Sequence, residues 1–181
     1  MEELQAALDT IRQSPRDGGT LDLIVRRPGV DKREVLEQGE LDSREGLVGD
    51  TWNMRSSSRT PDGSPHPDMQ LNVINSRLID LVAQDRNRWP LAGDQLYLDF
   101  DLSAENLPPG TRLSLGTAII EVTPEPHTGC GKFVSRFGVD AMKFVNSTLG
   151  RQLRLRGLNA KVVTPGVIRV GDGCSQGCAV E

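Results

Sequence analysis

The chain has 181 residues, of which 36% are hydrophobic and 4% aromatic, and its formal net charge is -4. This length predicts one domain with a core built mainly from Leu, Val and Ile. The negative charge argues against a general nucleic-acid binder, which needs a basic face, but it is compatible with a local basic pocket for a small anion.

The N-terminal half predicts one short helix, two strands and a second helix. Apolar residues at helical spacing predict a helix over residues 2–13. TLDLIVRR (20–27) and MQLNVINS (69–76) alternate apolar and polar residues, as strands do. SRLIDLVAQD (76–85) returns to helical spacing, and Ser76 is the predicted N-cap.

The C-terminal half predicts further strands and one more helix. Residues 91–103 alternate, and RLSLGTAIIEVT (112–123) predicts two strands, or one bent strand, with a break at Gly116. VDAMKFVNSTL (139–149) predicts a helix. NAKVVTPGVIRVGD (159–172) predicts a strand, a Pro-Gly turn and a second strand.

These patterns add up to seven to nine short strands and three helices. A mainly β fold with helical additions, a closed or nearly closed β-barrel, fits them because closure removes exposed sheet edges. We expect an N-terminal helix and turn over residues 1–19, the barrel over 20–172, and a cysteine-containing tail over 173–181. RSSSRTPDGSPHP (55–67) predicts an exposed, mobile loop.

The composition and the N-terminus also bear on location. No apolar run approaches the roughly 20 residues of a membrane-spanning helix. The first residues, MEELQAALDTIRQSP, carry acids where a signal peptide carries bases. Three cysteines, an odd number, do not make a disulfide framework. We therefore expect a cytoplasmic protein with no membrane partner.

The stretch HTGCGKF, residues 127–133, brings a cysteine and a histidine together between glycines. A thiolate at Cys130 is a soft ligand for a metal and can also carry sulfur. Lys132, Arg136 and His127 are near enough in sequence to lower its pKa. The alternative is a small, inert, buried cysteine in a turn.

Other polar residues allow both a functional and a structural interpretation. His127 is either a proton donor or ligand beside Cys130, or a loop residue that caps a turn. Cys174 and Cys178 are either a redox pair, a sulfur relay or part of a metal site, or two exposed thiols. A local basic cluster can bind phosphate or lie solvated and paired with acids; its members are Arg151, Arg154, Arg156, Lys161 and Arg169.

Five segments in a fixed order resemble a MOSC domain, the module named for its place at the C-terminus of molybdenum cofactor sulfurases. They are GLVGD (46–50), MQLNVINSRLIDLVA (69–83), LAGDQLYLDFDLSAENLPPGTRLSLGTAIIEVT (91–123), GCGKF (129–133) and RLRGLNAKVVTPGVIRVGD (154–172). The resemblance runs from about residue 20 to residue 172. The chain departs from the usual pattern at Thr51-Trp52-Asn53 and at His127-Thr128-Gly129.

The resemblance implies a β-barrel with a pocket for the molybdenum cofactor, a pterin dithiolene that carries a phosphate. It implies that Cys130 ligates molybdenum or carries sulfur, with Lys132 and His127 as its catalytic neighbours. The predicted cofactor-binding residues are Arg44, Asp50, Asn106, Arg136 and Arg156. The side-chain oxygens of Asp50 and Asn106 suit pterin N–H donors, although Asx turns explain both residues without a ligand.

Three functions follow as hypotheses. The first is a molybdenum-cofactor protein that reduces N-hydroxylated or related small substrates. It takes electrons from a separate reductase, because the chain has no flavin or haem motif. The second is a carrier of sulfur or of the cofactor, served by a sulfur-donor protein; a pyridoxal-phosphate desulfurase domain does not fit in this length. The third is a cofactor-free barrel that acts as a binding module.

Overall fold

Eleven strands and four α-helices form in residues 7–177, the part of the chain that the computed structural model describes. The strands are β1 (Gly19–Arg26), β2 (Glu34–Leu36), β3 (Gln38–Asp42), β4 (Gly46–Leu47), β5 (Leu71–Asn75), β6 (Leu96–Asp99), β7 (Arg112–Leu115), β8 (Ala118–Val122), β9 (Leu158–Thr164), β10 (Gly166–Arg169) and β11 (Gly173–Gln176). The helices are α1 (Leu8–Arg12), α2 (Ser76–Ala83), α3 (Gly131–Asn146) and α4 (Thr148–Gln152), and 3-10 turns span Trp52–Met54, Pro67–Met69 and Arg86–Ala92.

Seven strands close into a mixed barrel, in the order β11, β7, β8, β9, β5, β6 and β1, and β1 pairs back with β11. The β5–β6 pair is parallel and the other pairs of the barrel are antiparallel. β2 continues the sheet beyond β1, and β10, β3 and β4 form a small second sheet. The predicted β-barrel with helices is therefore confirmed.

Two apolar clusters explain why these segments become strands and helices. Along β1, Leu21 and Ile24 belong to one buried cluster, while Leu23 and Val25 belong to the other. Opposite faces of the strand thus pack against different layers. The first cluster is shared with the other barrel strands, and the second includes apolar residues of α2 and α3. The barrel core and a helical layer outside it are therefore stabilised separately.

The predicted helices shift at their ends. The N-cap of α2 is Asn75 and not Ser76, because the Asn75 side chain accepts a hydrogen bond from the Leu78 N–H at 3.0 Å. α3 begins at Gly131, eight residues before the predicted start, and bends at Gly138, where φ is +90°. Its second half buries Ala141, Phe144 and Val145, while Val139 stays 49% exposed.

The two strands predicted within residues 159–172 form as β9 and β10, on either side of the Pro-Gly turn. They do not pair with each other, since β9 lies between β8 and β5, and β10 pairs with β3. Residues 173–176, predicted as a tail, form the barrel strand β11. Cys174 is consequently 1% exposed, so the alternative that it is an exposed thiol was wrong. Cys178 and residues 1–6 lie outside the described residues.

The loop prediction agrees with the structure at 55–66, which forms neither helix nor strand. No helix in the described part of the chain combines the length and the apolar character needed to cross a membrane.

Candidate functional site

A cavity of about 620 Å³ lies where the segment after β1, the segment before β6 and the β8–α3 loop meet. It is lined by Arg27, Pro28, Gly29, Val30, Asp31, Arg33, Thr51, Met54, Arg55, Asn72, Ala92, Gly93, His127, Cys130, Lys132, Phe133, Arg136 and Arg156. Six of these residues are cationic and one, Asp31, is a carboxylate. In a chain whose net charge is -4, the cavity is therefore a concentrated positive region.

Cys130 lines this cavity with an exposed, free thiol at the N-cap position of α3. The loop before it is held by Asn146, at the far end of the same helix. The Asn146 side chain accepts a hydrogen bond from the Gly129 N–H at 2.9 Å and donates one to the Gly129 carbonyl at 3.2 Å. The bent helix thus fixes the position of the loop that presents the sulfur.

Arg27 forms one wall of the cavity and is held from behind by Asp50. Its Nε and Nη2 donate to the two Asp50 carboxylate oxygens at 2.8 and 2.7 Å. Its Nη1 donates to Asn72 Oδ1 and to the Gly93 carbonyl, each at 3.0 Å. Burial acts to raise the pKa of Asp50, but hydrogen bonds and charge from Arg27 outweigh burial and lower it.

Arg156 is held in the same way by the fully buried Asp94. Its Nη1 donates to both carboxylate oxygens at 2.9 and 2.8 Å, and its Nη2 donates to the Ala92 carbonyl at 3.1 Å. The Arg156 Nε, although buried, has no hydrogen-bond partner among the described residues. The guanidinium also lies over the Phe133 ring, 5.0 Å from its centroid.

His127 lies beside this pair, with its Nδ1 at 3.5 Å from Asp94 Oδ1 and no hydrogen-bond partner in residues 7–177. Burial, followed by the charges of Arg156 and Arg27, lowers the pKa of His127 well below its ordinary value. The imidazole is therefore neutral near pH 7. Burial also raises the pKa of Asp94, while Arg156 opposes that shift.

Arg33 and Arg55 contribute positive charge that Asp31 and Asp50 offset only from beyond ion-pair distance. Arg33 donates to the carbonyls of Pro90 and Lys32, and Arg55 donates to Thr51 Oγ1. Neither forms an ion pair with another described residue. Burial and neighbouring arginines lower the pKa of both guanidinium groups. Uncompensated cations of this kind favour an anionic ligand.

The first half of α3 is tied to the loop after β1 across the cavity mouth. Lys132 Nζ and Arg136 Nη2 share one oxygen of Asp31, at 3.3 and 3.0 Å. A hydrogen bond from Lys132 is the main reason that the pKa of Asp31 is lowered. These exposed contacts position both cations at the entrance.

The structure brings five of the predicted site residues to the cavity: His127, Cys130, Lys132, Arg136 and Arg156. Asp50 lies behind the wall and acts through Arg27. Arg44 is exposed in the β3–β4 turn, where Asp42 accepts its backbone N–H. Asn106 is buried and donates to the carbonyls of Arg16 and Asp101. These last two residues do not line the cavity.

Sequence reasoning missed several lining or supporting residues, namely Arg27, Arg33, Arg55 and Asp94. The Arg-Arg-Pro-Gly sequence directly after a predicted strand was a usable indication for Arg27, because polar residues at strand ends often line barrel mouths. The Arg156–Asp94 pair spans 62 residues and has no local pattern.

No protein-family model matches the chain, and no curated protein sequence matches it. Solved structures do resemble it. YuaD from Bacillus subtilis has a TM-score of 0.63 at 19% identity, covering 86% of this chain and 93% of YuaD. YiiM from Escherichia coli has a TM-score of 0.57 at 19% identity, covering 90% of this chain and 71% of YiiM. YiiM from Geobacillus stearothermophilus has a TM-score of 0.53 at 12% identity, with coverages of 90% and 74%. These neighbours support a MOSC-like barrel fold.

Proposed function

We propose that this chain is a molybdenum-cofactor protein whose cationic cavity binds the anionic pterin dithiolene and whose Cys130 ligates molybdenum. The observation that carries the proposal is the exposed thiol of Cys130 in a cavity with six cationic side chains and one carboxylate. Thiolate is the soft ligand that this metal takes. The MOSC-like fold of the chain supports the same assignment.

The donor set of the cavity fits such a ligand. Arg33 and Arg55 form no ion pair within residues 7–177, and their side chains donate to carbonyl and hydroxyl oxygens. The negative charge of the dithiolene would supply the anionic partner that these guanidinium groups lack. The cavity volume of about 620 Å³ lies within the range of pockets that hold cofactors.

The bound cofactor would supply two-electron chemistry at the metal, and a separate reductase would supply the electrons. Reduction of an N-hydroxyl group takes two electrons and two protons and releases water. Lys132 offers an N–H donor at the cavity mouth, where Asp31 holds its Nζ at 3.3 Å. His127, neutral beside Asp94, can accept or return a proton only at its exposed ring edge, because its Nδ1 is buried.

Elemental analysis tests this assignment. Protein made in cells that synthesise the molybdenum cofactor should carry molybdenum near one per chain, and oxidation should release a fluorescent pterin. Cys130→Ser should lose most of the metal while its circular dichroism spectrum is unchanged. Cys174→Ala is the matched control. Because Cys174 lies in the barrel core, this variant should keep the metal content of the wild type.

Two results would contradict the proposal. Equal molybdenum in wild type and Cys130→Ser would exclude ligation by this sulfur. Absence of both metal and pterin from wild-type protein, made in cells whose other molybdenum enzymes are loaded, would exclude cofactor binding.

A sulfur-carrier function is the second candidate, and the exposure of the Cys130 thiol favours it. A carrier must offer its sulfur to a donor protein and to an acceptor at the surface. Cyanide-labile sulfur on Cys130 without stoichiometric metal would support the carrier, whereas metal without labile sulfur would support the first function.

A further inference from the structure

A second cavity of about 360 Å³ adjoins the first. His127 and Arg156 line both cavities, so these two side chains form the wall between them. The second cavity is also bounded by residues 123–128, by the end of α3 and by the segment 150–158 that precedes and begins β9. It is therefore a separate space that reaches Arg156 and His127 from the other side.

The second cavity carries positive charge that is not neutralised. Arg151 and Arg154 line it together with Arg156, and within residues 7–177 neither Arg151 nor Arg154 forms an ion pair. The one acid in its lining, Glu125, is already paired with Arg59 and lies 3.7 Å from His66. Partial burial makes the charge of Arg154 unfavourable until an anion joins it, while Arg151 lies exposed at the edge of the cavity.

The arginines are held in place by the backbone. Arg154 Nη1 donates to the Leu107 carbonyl at 2.6 Å, and Arg151 Nε donates to the Asn146 carbonyl at 3.0 Å. Arg154 has a φ of +47°, which is uncommon for a residue with a side chain. Burial lowers the pKa of its guanidinium. The fold thus keeps a strained, partly desolvated arginine in this position.

An unpartnered donor at the shared wall points to a ligand as well. Arg156 is 7% exposed, and its Nε finds no acceptor among the described residues. Buried N–H groups are nearly always hydrogen-bonded in native proteins, so an oxyanion in this cavity would supply the acceptor that the Arg156 Nε–H lacks.

We propose that the second cavity is a phosphate subsite that binds the phosphoryl group of a small molecule through Arg151, Arg154 and the wall formed by Arg156. Two sources share this chemistry. One is the phosphate of the cofactor, in which case the assignment rests on the proposed function. The other is a phosphorylated substrate. Binding of inorganic phosphate to the cofactor-free chain depends on neither source.

Titration of the cofactor-free full chain with inorganic phosphate, followed by calorimetry, tests the subsite. The double variant Arg151→Gln, Arg154→Gln should bind phosphate about tenfold or more weakly, because two charge-assisted contacts are lost. The variant Arg33→Gln, Arg55→Gln reports on phosphate binding in the first cavity. The matched control is Arg12→Gln, Arg44→Gln, which removes two exposed cations that line neither cavity and should bind phosphate within about twofold of wild type. Thermal melts confirm that each variant is folded, and Arg151→Gln alone, at an exposed position, serves if the double variant is unstable.

Three results would overturn the subsite: no saturable phosphate binding by wild type, unchanged binding by the Arg151–Arg154 variant, or loss confined to the Arg33–Arg55 variant. Repeating the titration on molybdenum-loaded protein identifies the source. A cofactor phosphate in the subsite should block inorganic phosphate, whereas a substrate subsite should bind it as before. Because the first titration needs no metal, it can succeed where the molybdenum assignment fails.

Discussion

Arg27 and Arg156 present charge to the main cavity because buried carboxylates hold them from behind. Asp50 and Asp94 are 0% exposed at their side chains, and each accepts two short hydrogen bonds from its arginine side chain. Such pairs contribute little net stability when compared with apolar residues of similar size, but breaking one is costly. These pairs hold the arginine side chains of the cavity wall in one arrangement, which reduces the entropy cost of ordering them when a ligand binds.

The Arg27–Asp50 pair predicts a large difference between neighbouring substitutions. Arg27→Met should destabilise the protein by about 3–5 kcal/mol, because it leaves Asp50 buried and unpaired. Arg26→Met, one residue earlier, should lose about 1 kcal/mol or less, since its pair with Glu34 is partly exposed. Urea unfolding at pH 7 measures both, and equal losses would contradict the role given to Asp50.

The contribution of Asp50 to stability should also depend on pH. Because the pKa of Asp50 is lowered on folding, its stabilising contribution is present above about pH 4 and is lost as the pH falls through the folded pKa.

The two described cysteines should differ sharply in reactivity. Cys130 is exposed, while burial raises the pKa of Cys174 to about 12. At pH 8 the thiolate fraction of Cys174 is then on the order of one in ten thousand, and the reagent has no access to it. Iodoacetamide on native protein should therefore label Cys130 and spare Cys174 until denaturant is added, as peptide mass spectrometry can show. Rapid native labelling of Cys174 would mean that the barrel opens there.

His127 predicts a loss of stability on mild acidification. Its folded pKa is well below 6.5, so below about pH 6.5 the unfolded chain binds a proton that the folded chain does not. The free energy of unfolding should fall as the pH drops from 6.5, with a slope of up to about 1.4 kcal/mol per pH unit from this residue. His127→Gln should show a shallower slope than wild type in urea unfolding between pH 5 and 7, while a parallel pair of curves would refute the assignment.

At the scale of elements, α3 is bent, and its two halves contact different parts of the molecule. Its first half carries Lys132, Phe133 and Arg136 to the main cavity, and its second half packs on the barrel. Gly138 makes the bend possible, because its φ of +90° lies in a region that disfavours residues with a Cβ. A straight helix could not serve both surfaces.

The bend predicts that two glycines of α3 respond in opposite ways to alanine. Gly138→Ala should destabilise by about 1–3 kcal/mol through backbone strain alone, since a Cβ there meets no atom within 4 Å and its φ of 90° and ψ of 167° are a conformation almost restricted to glycine. Gly131→Ala, also unobstructed but without a positive φ, should be neutral or slightly stabilising. Chemical denaturation measures both, and an unaffected Gly138→Ala variant would show that the helix tolerates straightening.

At the scale of the whole molecule, β11 decides whether the sheet is a barrel. It pairs with β7 on one side and with β1 on the other, and it places Cys174 in the core. Without it, β7 and the start of β1 at Gly19 and Thr20 would become unpaired edges. The closing strand therefore contributes to the stability of the barrel and not to a separate tail.

Truncation tests this role of β11. A chain that ends at Asp172 should lose cooperative thermal unfolding and aggregate, because the barrel is open and part of the core is exposed. A chain that ends at Gly177 keeps every described strand and should melt within a few degrees of the full chain. Cooperative melting of the shorter chain at the same temperature would show that closure is dispensable.

Local pattern sufficed for much of the fold. Alternating apolar residues located β1, β5, β7 and β8, because a strand that separates two layers must alternate its side chains. The two strands predicted within 159–172 form as β9 and β10, but they do not pair with each other, and the tail predicted at 173–176 was wrong. Strand partners are chosen by closure of the sheet and not by the nearest turn. The start of α3 was also missed, since its glycines hide a helix that the Asn146 contact and the core hold in place.

For the site, the sequence by itself determined one loop: Cys130 with its flanking glycines, His127 and Lys132, whose chemistry can be named from residue type alone. Arg136 and Arg156, also named from the sequence, line the same cavity. Only the tertiary structure decided that Arg27, Arg33 and Arg55 join them and that Asp94 holds Arg156, because the ends of the barrel strands converge on one cavity. Long-range electrostatic pairing depends on distances that exist only after folding, so no local pattern of residues could have indicated it.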